Sequence, residues 1–84
     1  MKARVHVFYK DSVFDPQGNT VAESLKRLGY SRVNSVRVGK VVDVEMTAHS
    51  ADEAKRELQK MCEQLLVNPV IEAYQIELIP QGKG

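Results

Sequence analysis

From Lys2 to Lys10 apolar and polar positions alternate, with Ala3, Val5, Val7 and Tyr9 on one face and Arg4, His6, Phe8 and Lys10 on the other. That two-residue period predicts a half-buried strand. The period then changes. Asp15 followed by Pro16 is a helix start, because the carboxylate can accept from free first-turn amides and proline fits where no amide partner is needed. Val21, Ala22, Leu25 and Leu28 follow at helical spacing, and Gly29 is placed to end the helix with a left-handed residue.

The stretch from Arg32 to Ala48 is rich in valine and broken only at Gly39 and Lys40, which predicts two strands joined by a tight hairpin. In the second of them Val42, Val44 and Met46 share one face and Asp43 and Glu45 the other. Ser50 and Glu53 have capping-box spacing and open a second helix, whose apolar face is Ala54, Leu58, Met61 and Leu65 with Cys62 and Leu66 beside it. Asn68 and Pro69 mark its end, and Tyr74, Ile76 and Leu78 alternate with polar residues in a last strand. The order strand, helix, strand, strand, helix, strand predicts an α+β, ferredoxin-like βαββαβ two-layer sandwich: a four-stranded antiparallel sheet with both helices on one face. Residues 1–79 are expected to form one domain and 80–84 a flexible tail.

Composition narrows what such a domain can do. Its 84 residues hold one small core, and domains of this size often rely on disulfides, a metal or oligomerisation. A single cysteine, Cys62, and two distant histidines, His6 and His49, supply neither a disulfide nor a ligand set, which leaves oligomerisation. The uncovered sheet face carrying His6 and Phe8 is the expected self-association surface. A net charge of +1 gives no field to attract a polyanion, so nucleic acid is not an expected partner. No run approaches the roughly 18 apolar residues of a membrane span, and a soluble, cytoplasmic protein is expected.

Candidate chemistry is sparse. Cys62 sits among apolar helix positions without an activating base, and Asp43 and Glu45 lie opposite basic neighbours like an ordinary solvated face. Arg37, Gly39 and Lys40 suggest an anion site, yet Lys40 is followed by two valines instead of the Ser or Thr of a phosphate loop. Gly18 near the start of a helix is unfavourable by about 1 kcal/mol relative to alanine, which leaves two readings, a helix start kept bare for a ligand anion or a partner's backbone and a local turn requirement. No catalytic residue and no metal site are assigned.

Three strings carry a wider resemblance: DPQG at Asp15–Gly18, VRVGK at Val36–Lys40 and MCEQLLVNPVIEAYQIEL at Met61–Leu78. In this order and spacing they resemble the PurS family, the small subunit of phosphoribosylformylglycinamidine (FGAM) synthase, and the likeness runs from Lys2 to about Ile79. Thr20, Val67 and Phe14 depart mildly in size from the family's commoner residues. The resemblance implies a non-catalytic accessory subunit of purine biosynthesis. It implies a homodimer or higher homo-oligomer that bridges the synthetase PurL and the glutaminase PurQ. In that role it assists ammonia transfer as formylglycinamide ribonucleotide (FGAR), ATP and glutamine become FGAM, ADP, phosphate and glutamate. No cofactor is implied for this chain; ATP and Mg are used by PurL. The expected partner surface comprises Asp15, Pro16, Gln17, Gly18, Arg37, Gly39, Lys40, Asn68 and Pro69.

Rivals of the same topology make different demands. An RNA-binding sheet needs several stacking aromatics, and Phe8 stands alone among acidic neighbours. An ACT-like regulatory module would bind a small molecule near the first helix start. A small enzyme would show turnover in isolation.

Overall fold

The structure, a computed structural model, describes residues 1–80. Three strands form one antiparallel sheet in the order β2-β1-β3: β1 is Lys2–Tyr9, β2 Lys40–Glu45 and β3 Glu72–Ile79. Alternation in β1 works as expected, since Ala3, Val5 and Val7 are buried while Lys2 and Phe8 of the opposite face are exposed. The register sets Val5 between Val42 and Ile76, and Arg4 between Asp43 and Glu77. One face is therefore apolar and the other charged.

The second helix, α2, is Ala51–Met61. Ser50 Oγ accepts from the Glu53 amide at 3.1 Å, whereas the Glu53 carboxylate reaches one residue further back, to the His49 amide at 3.3 Å. Ala54, Leu58 and Cys62 lie fully buried with Ala3, Val5, Val7 and Val67 in a single core. The helix continues as a π-helical turn, Cys62–Leu66, closed by the Val67 amide on the Cys62 carbonyl at 3.0 Å. That wider turn rephases the face, and it corrects one expectation: Leu65 stands 83% exposed while Val67 is buried.

Among the described residues the sheet has three strands instead of the expected four, and the helices do not both cover it. Helix α1, Pro16–Arg27, forms with the anticipated ends: Asp15 caps it, and Gly29, at φ 108°, closes it as the Gly29 and Tyr30 amides reach the Lys26 and Leu25 carbonyls. Yet packing between elements joins β1 to β2 and β3 and joins α2 to β3 and its own π turn; α1 shares no such interface. Residues 11–39 form an arm, and none of them enters the core. The hairpin at Gly39 and Lys40 is absent as well. Two-residue hairpins need positive φ, which Gly39 lacks, so the chain passes straight into β2. The molecule is accordingly long and thin, 50 × 35 × 14 Å.

Candidate functional site

At the root of the arm Asp15 does two jobs. Although nearly inaccessible, its carboxylate accepts from the Gly18 amide at 2.9 Å and from the Val38 amide at 2.7 Å. The first bond caps α1; the second ties the helix start to the strand leading into β2. The Val38 and Gly18 amides, against the opposing effect of burial, hold this carboxyl below the usual range. Gly18 is buried here because a β-carbon would run into the Val36 carbonyl. Gly39 is pinned by a similar approach, its absent β-carbon lying 2.6 Å from the Val7 carbonyl oxygen. Both glycines permit contact within the chain, while Pro16 and Gln17 remain exposed to other molecules.

Lys10, which sequence reasoning passed over, links the dispersed motifs. Its carbonyl accepts from the Arg37 guanidinium at 2.7 Å, its amide donates to the Ile71 carbonyl at 2.9 Å, and its ammonium donates to the Pro69 carbonyl at 2.7 Å. Its only signal in the sequence was a position at the end of an alternating strand. Asn68 and Glu72 stiffen the neighbouring turn: the Asn68 side chain accepts from the Val70 amide at 3.1 Å, and Glu72 accepts from the Asn68 amide at 2.8 Å. Arg37, Asn68 and Pro69 thus come to one end of the molecule. A shallow cleft of about 220 Å³ beside them is lined by Phe8, Gln17, Gly39, Lys40 and Glu72 among others.

On the open sheet face Arg4 pairs with Asp43 at 2.9 Å and His6 Nε2 lies 3.0 Å from Glu77. The Arg4 hydrogen bond lowers the Asp43 carboxyl, and exposed pairs of this kind hold register more than they stabilise. Phe8, on the same face, is 38% exposed. Cys62 has no accessible surface, and burial pushes its thiol up, which is the environment of an inert side chain. Among the described residues no group of three or more His, Cys, Asp or Glu could hold a metal ion.

A cluster of exposed backbone, proline and paired charges, positioned by hydrogen bonds and by two close glycine contacts, is the equipment of a docking subunit built on an α+β domain. The PurS model, described as phosphoribosylformylglycinamidine (FGAM) synthase, matches residues 2–80. The PurS subunit of FGAM synthase from Archaeoglobus fulgidus is 43% identical over 76 residues, 90% of this chain and 95% of that protein. The Bacillus subtilis PurS subunit is 44% identical over 78 residues, covering 92% of this chain and 90% of its own. Among solved structures, a chain of PurLQS from Thermotoga maritima superposes with a TM-score of 0.83 at 36% identity, covering 90% of this chain and 93% of that one. The chain belongs to the PurS family, and is a subunit of FGAM synthase in purine biosynthesis.

Proposed function

We propose that this chain serves as the bridging subunit of a glutamine-dependent, ATP-using FGAM synthase, holding PurL and PurQ together and assisting ammonia transfer between their sites. The observation that carries this reading is the superposition on PurLQS from Thermotoga maritima over nearly the whole chain. ATP and Mg belong to the PurL partner in this scheme, and the assembly works in the cytoplasm. No helix among the described residues is long and apolar enough to cross a membrane, which agrees with that setting. The partner surface is the arm root and the helix-exit turn: Pro16, Gln17, Arg37, Gly39, Lys40, Asn68 and Pro69, with Asp15 and Gly18 acting from within to shape it. An ACT-like ligand module is not favoured.

The same reading makes the chain a homodimer or higher oligomer, and the ferredoxin-like four-stranded layer a property of that assembly. Support comes from its dimensions. A radius of gyration of 16.4 Å exceeds the roughly 12 Å of a compact domain this long. Reconstitution tests the function: glutamine-driven synthase turnover by a mixture of PurL and PurQ should require this chain, whereas turnover driven by added ammonium should depend on it far less. Full glutamine-driven activity without the chain would refute the bridging role.

A further inference from the structure

Lys10 stands where the arm leaves the sheet, and three segments meet on it. Its carbonyl accepts from the Val13 amide at 2.9 Å, on the outgoing chain of the arm, and from the Arg37 guanidinium at 2.7 Å, on the returning chain. Its amide donates to the Ile71 carbonyl at 2.9 Å and its ammonium to the Pro69 carbonyl at 2.7 Å, both in the turn that follows α2.

The other bonds of that turn show what Lys10 adds. The Ile71 and Glu72 amides donate to the Asn68 carbonyl at 3.2 and 2.7 Å, the Val70 amide donates to the Asn68 side chain, and the Asn68 amide donates to the Glu72 carboxylate. The turn thus satisfies its own donors. Its Pro69 and Ile71 carbonyls take outside donors, and Lys10 supplies both. Charge balance does not explain the choice of partner. Glu63 and Glu72 line the same hollow of about 290 Å³ as Lys10, yet the ion pairs among the described residues are Arg4–Asp43 and His6–Glu77. The ammonium holds backbone, and a charged donor holds a carbonyl more firmly than a neutral one.

We infer that Lys10 is the positioning residue of the partner surface. It fixes the arm root against the helix-exit turn, so that Pro16, Gln17 and Arg37 on one side and Asn68 and Pro69 on the other meet the synthase partners as one surface. A bond lost on the arm side is then felt in the turn, 59 residues along the chain from Lys10. The positioning role rests on the partner surface proposed above; the coupling between arm and turn belongs to the isolated chain.

The test separates the two. Lys10→Met removes the ammonium and keeps an unbranched stem and the backbone bonds of residue 10, while Lys10→Arg restores a cationic donor. In a mixture with PurL and PurQ, Lys10→Met should raise the chain concentration needed for half-maximal glutamine-driven turnover about 2- to 10-fold, the reach of one hydrogen bond, without lowering the plateau at saturating chain. Lys10→Arg should recover most of that loss. An unchanged requirement, or a lowered plateau, overturns the positioning role. In the isolated chain, Arg37→Met should speed amide exchange at Ile71 and Glu72, and Lys10→Met/Arg37→Met should speed it by less than the product of the two single effects. Turn amides indifferent to Arg37→Met, or single effects that multiply, overturn the coupling. If glutamine-driven turnover did not require the parent chain at all, the bridging role would fall while exchange in the isolated chain still decided the coupling.

Discussion

Gly18→Ala sets two effects against each other, and their magnitudes decide the outcome. Within a helix, alanine is favoured over glycine by about 0.5–1 kcal/mol. Against this, the added methyl would overlap the Val36 carbonyl oxygen and approach an Asp15 carboxylate oxygen to 2.8 Å. The first obstacle is backbone, held in place by the Asp15–Val38 bond, so it cannot rotate aside as a flexible side chain would. Overpacking costs about 1–3 kcal/mol, and overlap with fixed backbone falls at about 2–3 kcal/mol, which outweighs the propensity gain by about 1–2 kcal/mol. No arm residue is part of the body core, so the loss should appear where the arm is used. Self-association should weaken about 5- to 30-fold in sedimentation, and melting followed by circular dichroism should fall by several degrees, at about 4–8 °C per kcal/mol. Ser24→Ala, on an exposed position of the same helix, is the control and should melt at or slightly above the parent. A Gly18→Ala chain that matched this control would refute the close approach and with it the clamped arm.

Acidification should loosen the same clamp: Asp15 titrates lower in the folded chain than unfolded, so its contribution is complete above about pH 4 and disappears as pH falls through the folded value. Asp43 acts in the same direction, and dichroism from pH 6 to 2.5 should show the loss, with the acid limb reduced in Asp15→Asn. Cys62→Ala should preserve glutamine-driven synthase activity in a reconstituted complex while lowering stability by about 1 kcal/mol in urea unfolding, as for loss of one buried heavy atom; loss of activity with the fold intact would assign the thiol a chemical role. Arg37→Ala should leave the sheet intact, since it removes only the bond to the Lys10 carbonyl, and should raise the concentration of chain needed for half-maximal synthase activity; an unchanged requirement would remove Arg37 from the partner surface.

Local signals in the sequence were legible wherever the chemistry was itself local. The Asp15 cap, the left-handed Gly29, the Ser50 cap and the alternation of β1 and β3 each depend on a few neighbouring residues, and all appear as expected. Leu65 was misplaced because a π turn inserts an offset that a constant helical period cannot express. Lys10 escaped notice for a related reason. Its partners, Arg37, Pro69 and Ile71, are brought to it by strand pairing, and nothing in the adjacent sequence distinguishes it from a solvated strand end.

The fourth strand presents a different kind of ambiguity. Valines spaced through Arg32–Ala48 state that this segment has a strand-forming face, and the stripe in α1 states that the helix needs cover. Neither statement says where the cover comes from. A hairpin at Gly39 and a direct entry into β2 share the same apolar pattern. What separates them is the backbone at a single junction. There Gly39 lacks the positive φ of a tight turn and uses its missing side chain to lie against Val7. A glycine read as permission to turn is thus a glycine required for close packing, and that one difference replaces the expected four-stranded layer with a three-stranded sheet and an arm among the described residues.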